Sequence, residues 1–142
     1  MNEHPPSIPD TILFVDDEAK ARKYFSMLFG RERKVLTAAD GLEGWELYQQ
    51  HRAEIGIVVT DQIMPRMTGL ELLSHLRSEP IPVIRILSTA YAESELVTAA
   101  VNDGLIDYFI GKPWNLEKFE SLIQQSLSLL GHRLPAAEWR IA

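Results

Sequence analysis

The sequence contains no cysteine, which excludes a disulfide framework and a thiolate zinc site. It also has no apolar run near the roughly 20 residues of a membrane-spanning helix, so a membrane partner is not expected. Positive charge is short: 14 Lys and Arg stand against 20 Asp and Glu, for a net charge of -6. Such a chain lacks the broad basic surface that grips phosphate backbones, and direct nucleic-acid binding is not expected. The opening MNEHPPSIPD has neither the basic n-region nor the apolar h-region of a secretory signal, so the cytoplasm is the expected compartment. No Gly-rich Walker loop is present, which removes an NTPase reading. The four histidines, at positions 4, 51, 75 and 132, lie far apart and off the expected strand ends, so no catalytic or metal role is assigned to them.

What is present is 142 residues, 46% hydrophobic and 24% charged, the size and balance of one globular domain. Three prolines in the first nine residues suggest a flexible arm over 1–10. Beyond it, apolar runs TILFV, KVLTA, IGIVVT, VIRILS and DYFI read as five strands. Between and after them lie five helical patterns. In the first, from Glu18 to Phe29, Ala21, Tyr24, Phe25 and Leu28 recur at helical spacing, and Gly30 is expected as a left-handed cap. Asp40 with Glu43, and Thr68 with Glu71, suggest reciprocal capping of the second and third helices. Leu96, Val97, Ala100 and Val101 mark a fourth helix ending near Gly104, and Asn115 a cap for the fifth, which runs to Leu130. Alternating strands and helices without long loops predict a doubly wound five-stranded parallel sheet with helices on both faces, in the flavodoxin-like order 2-1-3-4-5.

In that fold, ligands sit at the carboxyl ends of the strands. Asp16 and Asp17 follow the first strand and Asp61 ends the third, in VVTDQIMPRMTG. Three close carboxylates repel one another and call for a positive group. Lys112, after the fifth strand, is one candidate, and a hard divalent cation such as Mg²⁺, which takes oxygen ligands, is the other. Ser88 and Thr89 bring hydroxyls to the same edge. Together these groups can hold a metal and a tetrahedral oxyanion, with one carboxylate left as nucleophile.

The motifs FVDDE, VVTDQIMPRMTG, ILSTAY and FIGKPW, in this order over 11–130, resemble the response-regulator receiver domain of two-component signalling. The resemblance implies that Asp61 is the phosphoacceptor of a phosphorelay. It also implies that Asp16, Asp17 and Asp61 hold Mg²⁺, Asp17 most directly, with the backbone carbonyl of Ile63. Thr89 would donate its hydroxyl to the phosphoryl group, Lys112 would pair with it, and a cis bond would precede Pro113. Phe109 would turn inward on phosphorylation and switch the face made by the fourth helix, fifth strand and fifth helix. A sensor histidine kinase or phosphotransfer protein is the implied donor, and a downstream protein or fused output domain the implied receiver of the signal. The stretch 131–142 reads as a tail or the start of a linker. A homodimer through the switching face, with Leu129 in a contact, is left open.

Taken singly, each residue has a plainer reading: Asp16 as a helix cap, Asp61 as the start of a turn, Thr89 as a strand-end hydroxyl, Lys112 as a solvated charge, Phe109 as core. Their joint appearance at four strand ends favours the receiver. A haloacid-dehalogenase-like phosphatase would need an aspartate where Glu18 stands, and a flavin carrier a hydroxyl-rich loop after the first strand. A phosphorylation-independent pseudo-receiver, acting as a protein-binding module, is the remaining alternative. Two departures from the usual pattern bear on lifetime: the resemblance implies that positions 63 and 91 flank the path of hydrolytic water, and with apolar Ile63 and bulky Tyr91 there a persistent phosphoryl group is expected. Arg85, inside the fourth strand, is expected near its start, with its stem reaching solvent. Trp45 and Trp114 are read as packing residues, and Trp139 has no assigned role.

Overall fold

The computed structural model describes residues 9–133; the first eight residues and the last nine, including Trp139, lie outside the described residues. Its elements alternate as β1 (Thr11–Val15), α1 (Ala19–Phe29), β2 (Val35–Ala38), α2 (Gly41–Gln50), β3 (Ile55–Thr60), α3 (Gly69–Arg77), β4 (Ile84–Thr89), α4 (Glu95–Asn102), β5 (Tyr108–Gly111) and α5 (Leu116–Arg133). The strands form one parallel sheet in the order β2-β1-β3-β4-β5. This is the order expected from the sequence.

The period-two alternation of a strand sorts the apolar side chains into two cores. Leu13, Val15, Val58 and Leu87 pack with Tyr48, Leu72, Leu76, Val97 and Ala100 of α2, α3 and α4. Ile12, Phe14, Ile57, Val59 and Ile86 pack with Phe25, Phe29, Phe119, Ile123 and Leu130 of α1 and α5. Central strands β1 and β3 are buried throughout, as continuous apolar runs covered on both faces must be. On the second face Phe14 stacks on Phe25 with centroids 4.2 Å apart, and Phe29 meets Phe119 at 5.2 Å. Truncating such a ring to alanine costs about 3–5 kcal/mol.

Helix ends follow local chemistry. Thr68 and Glu71 form the expected capping box. Asn115 accepts from the Lys118 N–H at 3.1 Å, capping α5 as expected. Asp40 accepts from the Glu43 N–H at 2.9 Å, but the Glu43 carboxylate returns to the Ala39 N–H rather than to that of Asp40. Ser94, which the sequence reading passed over, caps α4 through the Val97 N–H at 3.3 Å.

Several expectations are corrected. Gly30 is not left-handed: its φ is -80°, and its N–H simply closes the last turn of α1 on Ser26. The glycine with positive φ is Gly104, at 73°. On α4 only Val97 and Ala100 are buried, while Leu96 and Val101 are exposed, because so short a helix turns one narrow face to the sheet. Arg85 does lie near the start of β4, as its second residue, but its stem does not escape to water; the guanidinium lies 3.6 Å from Asp107, with both side chains about 85% covered (15% and 14% exposed). Pairing thus replaces snorkelling at that position. Leu129 is half-buried against the α1/α5 core. Trp45 and Trp114 do pack: Trp45 lies against Tyr48 and His75, and Trp114 against Phe14, Phe25 and Phe119.

Candidate functional site

Parallel strands bring their carboxyl ends to one edge, and the ladder continues one residue past two of them. The Asp16 N–H donates to Ala38 at 3.1 Å and the Asp61 N–H to Val15 at 2.9 Å, which fixes both aspartates side by side. Asp16, Asp17 and Asp61 each bring a carboxylate oxygen to a common point, all within 4.8 Å of one another. Asp16 is fully buried and Asp17 exposed.

Asp16 does not cap α1; that position belongs to Glu18, whose N–H donates to Asp16 Oδ1 at 2.9 Å. The other oxygen, Oδ2, accepts from Lys112 Nζ at 2.8 Å. The same ammonium stands 3.6 Å from Asp61 Oδ2. Arg22 Nη1 donates to the Asp16 carbonyl at 2.9 Å, a contact the sequence reading missed. Lys112 is set by its N–H bond to the Thr89 carbonyl (3.0 Å) and precedes a cis bond to Pro113. Trp114 Nε1–H donates to Ser88 Oγ at 2.9 Å, and its ring stacks on Tyr24.

Asp61 Oδ1 accepts from the Gln62 N–H at 2.9 Å, which leaves Oδ2 towards Lys112. Burial is the main cause that pushes the Asp61 carboxyl above the usual carboxylate range. Lys112 opposes that rise, Asp16 adds to it, the Gln62 N–H opposes it, and Asp17 adds to it. For Lys112, burial favours the neutral amine but is outweighed by the bond to Asp16 and the attraction of Asp16, Asp61 and Glu18, so its pKa is raised. Two of the three carboxylates, those of Asp16 and Asp61, share one ammonium. An all-oxygen donor set with surplus negative charge fits a hard divalent cation such as Mg²⁺.

The family profile described as "Response regulator receiver domain" matches residues 12–124. The chain belongs to the response regulator receiver domain family. Receivers are phosphoacceptors of two-component signalling that pair with histidine kinases. The regulatory protein AtoC of Escherichia coli is 34% identical over 83% of this receiver and 25% of its own length. The hydrogenase transcriptional regulatory protein HoxA of Cupriavidus necator is 31% identical over 87% of the receiver and 26% of its own length. The receiver thus spans about a quarter of either relative. Among solved structures, chemotaxis protein CheY4 of Vibrio cholerae is similar with a TM-score of 0.72 and 26% identity, covering 82% of this chain and 97% of that one. The signal receiver domain of an HD domain-containing protein from Pseudomonas fluorescens has a TM-score of 0.81 over 94% of this chain and 97% of that one, and at 22% identity it speaks to the fold alone.

The other residues singled out in the sequence lie as follows. Thr89 ends β4, buried, and its Oγ1 accepts from the Tyr91 N–H at 3.1 Å. Phe109 sits on β5 opposite Leu87 and is 46% exposed. Ile63 and Tyr91 are both about two-thirds exposed (66% and 64%). Asp40 and Arg66 were not singled out as a pair by the sequence: Arg66 Nε reaches Asp40 Oδ2 at 2.9 Å and Nη2 reaches Oδ1 at 3.2 Å. The one available signal was Arg66 itself, a non-glycine between Pro65 and Met67 in a tight turn. Among the described residues, no helix is long and apolar enough to cross a membrane.

Proposed function

We propose that this receiver accepts a phosphoryl group on Asp61 from the phosphohistidine of a sensor histidine kinase or phosphotransfer protein, in a step that needs Mg²⁺. The observation that carries the reading is the edge cluster itself: three carboxylates within 4.8 Å, and one lysine bonded to Asp16 and 3.6 Å from Asp61. Asp16, Asp17, Asp61 and the Ile63 carbonyl would hold the ion, which when bound supplies positive charge to the transferring phosphoryl oxygens. Asp61 Oδ2 is the nucleophile. Its bond to phosphorus forms as the bond from phosphorus to the imidazole nitrogen breaks, and the imidazole leaves with the electron pair. Lys112 faces that oxygen and neutralises charge that develops beside it. Thr89 turns its hydroxyl from the Tyr91 N–H to the new phosphoryl group.

Movement of Thr89 vacates space behind it, and Phe109 turns in from its exposed position. The face of α4, β5 and α5 then presents a different surface, and a downstream protein or a fused output domain reads it. A groove of about 510 Å³ beside Phe109, lined also by Lys118, Ser121 and Leu122, lies on that face and supports the reading. Ile63 and Tyr91 flank the approach of water and give the phosphoryl group a long lifetime.

The test is intact mass after incubation with acetyl phosphate. A gain of one phosphoryl group is expected in the wild type with Mg²⁺, and none with chelator or in Asp61→Asn. An equal gain in the mutant, or none in either, sinks the assignment and leaves a binding module.

A further inference from the structure

The loop after Asp61 contains a strained turn, and a second loop grips it. Arg66 adopts φ 68°, and the Met67 N–H donates across it to the Pro65 carbonyl at 2.8 Å. That is a γ-turn of the rare hand, which a residue with a Cβ resists and glycine does not. The guanidinium of Arg66 closes on Asp40 as a two-pronged fork, at 2.9 and 3.2 Å. Asp40 is itself anchored as the N-cap of α2 by the Glu43 N–H. Beside it, Gly41 packs so closely that an added Cβ would collide with the Met67 carbonyl. The start of α2 therefore holds the loop three residues beyond Ile63.

We propose that Asp40 and Arg66 are positioning residues that raise the affinity of the site for a divalent cation by locking the 63–67 loop in its strained turn. The proposal rests on the Ile63 carbonyl being a ligand of the ion, and extends that reading to two residues outside the carboxylate cluster. A bidentate, charge-assisted contact suits the task because it fixes direction as well as distance. Simple electrostatics gives the opposite sign. Arg66 is a cation on the loop that carries the expected ligand, so removing its charge alone would tighten the binding of Mg²⁺.

The experiment is calorimetric titration with Mg²⁺ alone, without phosphodonor, on wild type, Arg66→Ala and Arg66→Gly, with melting in chelator to keep folding losses separate. Arg66→Ala is expected to bind about five- to thirtyfold more weakly, the scale set by an unsupported left-handed residue. Arg66→Gly is expected to recover most of that loss, since glycine takes the turn without the clamp. Asp40→Asn, which keeps the cap, should weaken binding in the same direction as Arg66→Ala. Unchanged or tighter binding by Arg66→Ala overturns the proposal, as does a glycine variant as weak as the alanine one. A wild type that takes neither Mg²⁺ nor label at Asp61 overturns the function as well, a result distinct from an unaltered Arg66→Ala titration.

Discussion

Replacing Asp61 by asparagine should stabilise the metal-free receiver. The two neighbouring carboxylates stand within 4.8 Å, and at an effective dielectric of 20 each repels Asp61 by about 3 kcal/mol, with the exposed Asp17 screened to roughly half of that. Lys112 at 3.6 Å offsets about 4–5 kcal/mol on the same scale. These contributions nearly cancel, so the burial of a carboxylate only 16% exposed decides the sign. Asparagine keeps the acceptor for the Gln62 N–H, and Lys112 keeps Asp16 at 2.8 Å. The expected gain is about 1–2 kcal/mol, or roughly 3–6 °C in melting temperature.

The assay is urea unfolding of wild type and Asp61→Asn in chelator across pH 4 to 8. Because the folded pKa of Asp61 is raised, first by burial, its penalty is absent below the ordinary carboxylate value, where the group is protonated in both states. The penalty grows as pH rises through the folded value. The gap between the two proteins should therefore be widest at neutral pH and close towards acid. Mg²⁺ at about ten times its dissociation constant adds roughly 1.4 kcal/mol to the wild type and should erase much of the gap. An asparagine variant no more stable than wild type at pH 7.5 in chelator, or a gap that ignores pH, would falsify this account of the edge cluster.

Two further outcomes follow from the same geometry. Tyr91→Ala and Ile63→Asn open the approach to Asp61, and the loss of label from the phosphorylated protein, followed by intact mass, should quicken several-fold; an unchanged half-life removes these residues from the control of hydrolysis. Trp114→Phe keeps a ring against Phe14 and Phe119 but leaves Ser88 Oγ without its donor, so urea unfolding should show a loss of about 1–2 kcal/mol. A neutral result there would mean that water satisfies Ser88 as well as the indole does.

The parts of the fold legible in the sequence are those where one local pattern has one solution. Ile12 to Val15 and Ile57 to Val59 are apolar without a break, and only burial on both faces of a parallel sheet accommodates that. Thr68 with Glu71 can close a capping box and nothing else nearby competes. Burial of helical faces was less legible, because a 3.6-residue period reports an apolar stripe and not whether anything covers it: Leu96 and Val101 share the pattern of Val97 and Ala100 but lie outside the narrow contact with the sheet. Gly30 permits a left-handed cap without requiring one. Arg85 was read as a single side chain, whereas its partner Asp107 is 22 positions away and becomes a neighbour only through the pairing of β4 with β5.

The candidate site divides in the same way. Aspartates at strand ends announce themselves jointly, since each alone could cap a helix or start a turn but two adjacent strand ends bearing carboxylates call for a positive group. Arg66 and Asp40 are 26 positions apart, and their contact depends on the crossing of a strand-end loop with the start of a helix, which no local pattern encodes. The two sets of residues also carry opposite energetics. The Asp16, Asp17 and Asp61 cluster gathers like charge around a single lysine, whereas Asp40 with Arg66 is a matched pair spent on an unfavourable backbone. A strained, repulsive edge is a poor contribution to folding and a good one to binding, because a cation relieves at the site the repulsion that the fold leaves unsatisfied. On the proposed function, the carboxylate that follows β3 answers to what binds there rather than to what the chain itself provides.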